Sequence, residues 1–281
     1  MTKIYVFPGQ GSQSPGMGGE LFDQFPELVK QSDEVLGCSI KNLCLDDPEK
    51  KLNQTDYTQP ALYIVNALTY LSKTEKTGLR PDFVAGHSLG EYNALFAAGV
   101  FDFITGLKLV QKRGQIMVKV TGGGMAAVIG MQPDKIRQVL KDASFETIDI
   151  ANYNSPKQTV ISGRKEDIEA VKTVFEDAGV RLFVPLKVSG AFHSRYMQDA
   201  QNEFAGFLKR FEFQPVQIPV IANYTAAHYQ DDETMNNMVQ QISSPVRWVE
   251  TVQYLKQQPE PEFEEIGPGK VLTKLIKQII N

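Results

Sequence analysis

The sequence predicts an α/β fold, in which a large domain with a parallel sheet carries a smaller inserted domain. Short apolar runs typical of buried strands alternate with helical patterns towards both ends of the chain. One such run, residues 83–85, is followed by a serine between two glycines and then by a helix. From residue 125 the pattern changes to the order β-α-β-β-α-β, which indicates a second, small unit.

Composition and charge are those of an ordinary globular protein. The 281 residues are 42% hydrophobic and 22% charged, enough for one large domain with an insertion. The net charge of -4, without a block of like charges, argues against a nucleic-acid-binding protein. Cys38 and Cys44 lack metal-binding spacing and are interpreted as buried thiols of a reducing compartment. Because there is no apolar targeting segment or membrane-length run, we expect a cytoplasmic protein.

The chain begins with a predicted strand over residues 3–7 and a glycine-rich loop over residues 8–13. Gly9 and Gly11 have the G-x-G spacing of a dinucleotide fingerprint, but Ser14 occupies the third glycine position. Nucleotide binding is therefore disfavoured. A loop of this kind at the carboxyl end of a strand still presents backbone N–H groups to a ligand.

Residues 21–72 show a helical pattern, with turns expected at Pro26, Pro48 and Pro60. Residues 58–61 are expected to open the helix before the next strand, with Pro60 in its first turn. Gln59 in this segment either faces a pocket or is an exposed loop amide.

The strongest catalytic signal lies at residues 81–99. The strand 83–85, the G-x-S-x-G sequence 86–90 and a helix ending at Gly99 are the context of a nucleophile elbow. The glycines allow a sharp turn that exposes the Ser88 hydroxyl, and the helix start offers N–H groups to an oxyanion. Ser88 is therefore the candidate nucleophile, against the alternative of an ordinary serine in a strand-to-helix turn.

Asp102 is a predicted N-cap, and the helix after it carries an apolar stripe at helical spacing. Arg113 projects close to that stripe, where a buried cation requires an anionic partner. Spacing alone leaves two interpretations open. Arg113 either has a structural role, in an ion pair with an acid of the scaffold or with its charged end extended to solvent, or holds a substrate carboxylate with its bidentate guanidinium.

The insertion has the β-α-β-β-α-β order of a ferredoxin-like domain. Predicted strands cover residues 125–131, 147–152, 158–162 and 180–186, and predicted helices cover residues 133–143 and 166–178. Glycines at 122–124 and the pair Ser189 and Gly190 bracket it. We predict a small domain over residues 125–188 and a large one over residues 1–124 and 189–281, with a ligand site in the cleft between them.

The chain has three histidines, which limits the choice of a general base. His87 adjoins Ser88 and is expected to point away from it, and His228 lies in a polar stretch and is interpreted as a solvated loop residue. His193 follows the insertion on a loop between the two domains, where a base facing Ser88 is expected.

The remaining residues return to the large domain. Strands are predicted at residues 220–224 and 263–266, and helices at residues 233–242, 245–257 and 270–280.

Eight motifs in order resemble the malonyl-CoA:acyl-carrier-protein transacylase family, which includes discrete, trans-acting acyltransferases of polyketide synthases. The motifs are FPGQGSQ from residue 7, TQPAL from 58, GHSLGEY from 86, QKRGQIM from 111, ANYNSP from 151, GAFHS from 190, SPVRW from 244 and GPGKVL from 267. The resemblance covers nearly the whole chain and implies an α/β-hydrolase-like large domain.

The resemblance implies a ping-pong transfer of malonyl from malonyl-CoA to the phosphopantetheine thiol of an acyl carrier protein, for polyketide or fatty-acid synthesis. Ser88 would be the nucleophile and His193 its base, with an oxyanion hole at the backbone N–H groups of Gln10 and Leu89. Arg113 would then bind the malonyl carboxylate. No metal, bound cofactor, nucleic acid or membrane is implied.

The family pattern assigns further positions with supporting roles. The backbone carbonyl of Gln241 would orient the imidazole, and Gln59 and Asn154 would line the pocket. Phe192 resembles malonyl-selective members, in which a bulky ring crowds an α-methyl branch, although one methyl group is worth only about 1–3 kcal/mol.

Two other functions remain open at this point. The same elbow would serve a serine hydrolase of acyl thioesters, such as an acyl-carrier editing enzyme. A docking module that binds carrier proteins without chemistry is the non-enzymatic alternative.

Overall fold

The computed structural model describes residues 1–188 and 190–281, and it contains two separate four-stranded sheets. Ser189, where we expect the large domain to resume, lies outside the described residues. The predicted domain boundaries therefore stay a prediction, whereas the α/β fold with a parallel and an antiparallel sheet is confirmed.

The first part of the chain builds two strands and six helices. They are β1 (Thr2–Phe7), α1 (Leu21–Gln24), α2 (Pro26–Leu36), α3 (Ile40–Leu45), α4 (Thr55–Thr77), β2 (Phe83–Gly86), α5 (Gly90–Ala97) and α6 (Phe103–Met117). The middle part contains β3 (Gly123–Ile129), α7 (Pro133–Asp142), β4 (Asp149–Ser155), β5 (Gln158–Arg164), α8 (Lys165–Asp177) and β6 (Leu182–Pro185).

The last part returns to the first sheet. A single 3₁₀ turn, Arg195–Met197, leads into α9 (Gln198–Leu208), β7 (Val220–Ile221), a second 3₁₀ turn at Asp231–Glu233, α10 (Thr234–Gln240), α11 (Trp248–Lys256), β8 (Pro261–Glu265) and α12 (Val271–Ile280). No helix in the described parts of the chain is long and apolar enough to cross a membrane.

The large sheet has the order β7-β2-β1-β8 with all neighbours parallel. Because side chains alternate along a strand, Tyr5 and Phe7 of β1 pack on one face and Ile4 and Val6 on the other. Both faces are covered by helices, which explains why these strands are nearly continuous apolar runs.

The small sheet has the order β4-β5-β3-β6 and is antiparallel. This is the strand order expected of the ferredoxin-like pattern. Its helices α7 and α8 close a core of their own, which includes Ile136, Ile168 and Phe175 and is separate from the cores around the large sheet.

Three expectations for the large domain were wrong. Helix α4 begins at Thr55 and continues through Pro60, because Gln54 accepts the first-turn N–H groups and the helix is buried against α6. Pro60 therefore removes one hydrogen bond inside the second turn, a cost that burial offsets. The sequence pattern also missed α9, and β7 is only two residues long. The N-cap at Asp102 is confirmed, since its side chain accepts the N–H of Thr105 at 2.6 Å.

Candidate active site

Ser88 lies in the sharp turn between β2 and α5, with a backbone φ of 52°. A Cβ added to Gly86 would lie 1.9 Å from the carbonyl carbon of Gly90, and one added to Gly90 would lie 2.0 Å from the carbonyl oxygen of Phe7. The elbow therefore packs backbone against backbone. Left-handed φ values are strained for residues other than glycine, so surrounding contacts must hold Ser88 in place.

The glycine-rich loop after β1 packs directly on this turn. A Cβ on Gly9 would lie 2.3 Å from the carbonyl oxygen of His87, so only glycine permits the contact. The contact brings Gln10 and Leu89 to the wall of one cavity with Ser88. No backbone acceptor among the described residues receives the N–H of Gln10 or of Leu89.

His193 is buried, and its Nε2 lies 2.7 Å from the Ser88 Oγ. Its Nδ1 lies 2.9 Å from the carbonyl oxygen of Gln241 and 3.1 Å from that of Ser244. Because carbonyl oxygens only accept, Nδ1 carries the proton and Nε2 presents its lone pair to the serine hydroxyl. Burial, with the nearby Arg113 cation, lowers the pKa of His193 to about 3, so the ring is a neutral base at neutral pH.

Arg113 is 1% exposed and lines the same cavity as Ser88. It donates through Nη1 to Gln59 Oε1 at 2.6 Å, and through Nη2 to Gln241 Oε1 at 3.1 Å and Ser88 Oγ at 3.2 Å. All three acceptors are uncharged. Arg113 forms no ion pair with any acid in the described ranges, which disfavours the structural ion pair left open by the sequence.

The reactive groups meet in a cavity of about 100 Å³ between the two sheets. Its lining is Gln10, His87, Ser88, Leu89, Arg113, Met117, Met125, Asn152, Leu186, Val188, Phe192 and His193. Phe192 is buried in this lining, beside His193, as the resemblance suggests. The described residues contain no group of three or more His, Cys, Asp or Glu side chains that could hold a metal ion.

Three assignments of the sequence analysis need correction. Asn154 is not in the lining of this cavity, and its Oδ1 lies 2.8 Å from Nε2 of the lining residue His87, whereas Asn152 of the same strand is in the lining. Gln59 also lies outside that lining, behind Arg113. His228 is half-buried rather than fully solvated, with its ring 5.9 Å from that of Phe83. His87 packs against Trp248, with the ring centroids 5.6 Å apart, which agrees with the expected packing role.

Sequence reasoning missed Glu91 and Asn223. Asn223 Oδ1 accepts the Ser88 N–H at 2.7 Å, and Glu91 is buried three residues after Ser88. Glu91 could have been found from the sequence, because it is a glutamate inside the otherwise apolar helix pattern that follows Ser88. No local pattern indicates Asn223, which is 135 positions away from Ser88 in the sequence.

A half-buried serine, a neutral histidine and an arginine without an acidic partner in one cavity of an α/β fold are typical of enzymes that form a serine-bound acyl intermediate. Comparison with known proteins gives the family. Residues 4–281 match the family model described as an acyl transferase domain. The malonyl CoA-acyl carrier protein transacylase BaeC of Bacillus velezensis, a polyketide biosynthesis protein, is 55% identical over 278 residues, which are 99% of this chain and 96% of that protein.

Solved structures agree with this relationship. The malonyl CoA-acyl carrier protein transacylase of Burkholderia pseudomallei has a TM-score of 0.97 at 47% identity, over 100% of this chain and 98% of the other. A malonyl-transacylase in complex with a type II polyketide synthase acyl carrier protein has a TM-score of 0.95 at 38% identity, over 100% and 94%. The chain belongs to the malonyl CoA-acyl carrier protein transacylase family.

Proposed function

We propose that this protein transfers a malonyl group from malonyl-CoA to the phosphopantetheine thiol of an acyl carrier protein, and that Ser88, His193 and Arg113 carry out the reaction. The observation that supports these roles is the position of Ser88 Oγ, 2.7 Å from His193 Nε2 and 3.2 Å from Arg113 Nη2. One side of the hydroxyl thus faces a base, and the other faces a cation.

The first half-reaction forms the acyl-enzyme. Ser88 Oγ attacks the thioester carbonyl while His193 Nε2 takes the hydroxyl proton. The oxyanion accepts hydrogen bonds from the N–H groups of Gln10 and Leu89. When the tetrahedral intermediate collapses, the carbon–sulfur bond breaks and His193 returns the proton to the thiolate of CoA. The carbonyls of Gln241 and Ser244 keep the imidazole in the required tautomer throughout.

Arg113 couples the acyl group to the base. The guanidinium charge is one of the causes that lower the pKa of His193, because two neighbouring cations repel each other. A malonyl carboxylate bound to Arg113 compensates that charge and makes the imidazole a stronger base. Binding of the substrate carboxylate to Arg113 therefore increases the rate at which the malonyl group is transferred.

The second half-reaction repeats these steps with the carrier thiol as nucleophile. His193 deprotonates the thiol, the sulfur attacks the malonyl-Ser88 ester, and Ser88 recovers its proton as the leaving group. The high identity to a polyketide biosynthesis transacylase supports polyketide extender supply as the pathway. The buried cation favours transfer of a carboxylate-bearing group over the alternative of a general acyl-thioester hydrolase.

Mass spectrometry after mixing with malonyl-CoA tests this proposal. We expect one malonyl adduct on Ser88, which disappears when a holo acyl carrier protein is added and is never formed by S88A. The matched control is S32A, which removes a buried hydroxyl bonded to the Leu28 carbonyl and should leave loading unchanged. An adduct elsewhere, or none on the wild type, refutes the covalent mechanism.

A further inference from the structure

Glu91 is the one acidic side chain in the described ranges that is almost completely buried, with 1% exposure. It lies in the first turn of α5, three residues after Ser88 and surrounded by other buried residues of that helix. A carboxyl group this deep needs hydrogen bonds to all its acceptor positions. The malonyl transfer described above assigns it no role.

Three donors converge on this carboxyl group. The Tyr229 hydroxyl donates to Oε1, the backbone N–H of Asn223 donates to Oε2 at 2.9 Å, and Gln241 Nε2 donates to Oε2 at 3.1 Å. An ionised carboxylate accepts all three bonds, whereas a protonated carboxyl group has one oxygen that must donate.

Two of these donors also hold the backbone of the nucleophile. Asn223 Oδ1 accepts the N–H of Ser88 at 2.7 Å, and Gln241 Nε2 donates to the carbonyl oxygen of Ser88 at 2.7 Å. The backbone N–H and the backbone carbonyl of Ser88 are therefore each hydrogen-bonded to a residue that is also hydrogen-bonded to Glu91. The backbone carbonyl of Gln241 additionally accepts the Nδ1–H of His193.

We infer that Glu91 is a positioning residue, whose carboxylate holds Asn223 and Gln241 and, through them, keeps Ser88 and His193 in reacting geometry. The inference rests on the proposed function, because it concerns the rate of the same acylation step. Glu91 is not part of the cavity lining, and its own contact with Ser88 is a backbone hydrogen bond, from the Glu91 N–H to the Ser88 carbonyl at 3.1 Å.

The same arrangement keeps the Arg113 guanidinium available. Gln241 donates to Glu91 through Nε2 and accepts from Arg113 through Oε1, so one amide separates the two opposite charges. A direct ion pair would occupy the guanidinium that the substrate carboxylate needs. Through the amide, Glu91 lowers the cost of burying Arg113 without closing the substrate site.

Five ionisable groups lie in this buried network: Glu91, Tyr92, Arg113, His193 and Tyr229. Burial raises the pKa of Glu91 to about 7. Burial raises the pKa values of both tyrosines and lowers that of His193 to about 3, and Arg113 stays charged. Between about pH 5 and pH 9, Glu91 is therefore the group of these five that changes charge.

Single-turnover acylation by malonyl-CoA, followed by mass spectrometry across this pH range, tests the inference. In the wild type we expect the rate to rise to a plateau with a midpoint near 7, where Glu91 becomes ionised. E91Q retains an acceptor for Asn223 and Gln241 but cannot titrate, so its profile should lack this step. E91A removes the acceptor, and its rate should fall by about 10²-fold at every pH.

The matched control is Glu265, a second carboxylate with three hydrogen bonds, from the N–H groups of Leu272 and Thr273 and the Thr273 hydroxyl. E265A should lower stability while keeping the wild-type rate and pH step. The inference is wrong if E91Q keeps the step, or if folded E91A stays within about threefold of the wild type. If circular dichroism shows that E91A does not fold, the pH profile of E91Q alone tests the inference. A wild type that takes up no malonyl refutes the proposed function instead.

Discussion

The elbow region of the large sheet and the small antiparallel sheet differ in how they are built. Around Ser88, glycines leave no room for a Cβ, and buried polar groups are held by long-range hydrogen bonds. The small sheet packs its own apolar core behind α7 and α8, and its ion pairs are largely exposed. The small sheet contributes Met125 and Asn152 to the cavity wall, and Leu186 follows its last strand, but none of the three side chains proposed to react belongs to it. Substitutions should therefore abolish chemistry in the first region and mainly change stability in the second.

Gly86→Ala should have the largest effect. The added Cβ would lie 1.9 Å from the backbone of Gly90, where no flexible side chain can move aside. We expect destabilisation of about 3 kcal/mol or more and no detectable malonyl-Ser88. Urea unfolding and mass spectrometry measure the two effects. Normal loading by G86A would show that the elbow is not as tightly packed as the structure indicates.

Arg113→Ala should separate malonyl from acetyl transfer. Losing a buried charged hydrogen-bond partner costs about 2–5 kcal/mol, so malonyl loading should fall by about 10²- to 10³-fold. Acetyl loading should fall much less, because acetyl has no carboxylate for Arg113 to bind. R137A, which removes an exposed arginine of the small domain, is the control for both rates. Equal losses with both acyl groups would contradict the role of Arg113.

Phe175→Ala should affect stability rather than chemistry. Phe175 is fully buried in the core of the small domain and stacks on Phe183 at 5.8 Å. We expect a loss of about 3–5 kcal/mol, measured by urea unfolding. The acylation rate per folded molecule at low temperature should stay within about threefold of the wild type, since no reacting group belongs to this core. A large drop in that rate would show that the two regions are tightly coupled.

The pH dependence of stability should have opposite signs for two buried groups. The pKa of Glu91 is raised to about 7, so its contribution is present below pH 4.5 and is lost as pH rises through 7. The pKa of His193 is lowered to about 3, so its contribution is present above pH 6.5 and is lost as pH falls towards 3.

Unfolding titrations of wild type, E91Q and H193Q at several pH values measure these contributions. The free energy of unfolding of E91Q minus that of the wild type should be larger at pH 8 than at pH 5. The increase should be on the order of 2–3 kcal/mol. The stability of H193Q should fall less than that of the wild type below pH 6. A pH-independent difference between wild type and E91Q would rule out the titration of Glu91.

Gly206→Ala should have the smallest effect and the opposite sign to Gly86→Ala. Gly206 lies in α9, is exposed, and has open space where a Cβ would be added. The same substitution should therefore stabilise the protein by about 0.5–1 kcal/mol, measured by urea unfolding. A destabilised G206A would mean that α9 is held by contacts the structure does not show.

The sequence predicts local geometry well and long-range polar contacts poorly. The strand, G-x-S-x-G turn and helix were correct because glycine spacing and apolar periodicity report backbone conformation directly. The start of α4 predicted from Pro60 was wrong, because burial of the helix against α6 outweighed the local preference of proline for a first turn. Asn223, Asn152 and the buried position of Glu91 depend on contacts between distant segments, which no local pattern encodes.

The edge of the small sheet is joined to the large region through main-chain hydrogen bonds. Val246 donates its N–H to the carbonyl of Ala151 at 2.8 Å and accepts the N–H of Tyr153 at 2.9 Å. Val246 follows closely after Ser244, whose carbonyl helps to hold His193. A hinge that swung the two sheets apart would break these bonds and misalign the imidazole. The two sheets therefore keep a nearly fixed arrangement around the cavity, and the thioester must reach Ser88 through adjustments of side chains rather than through separation of the sheets.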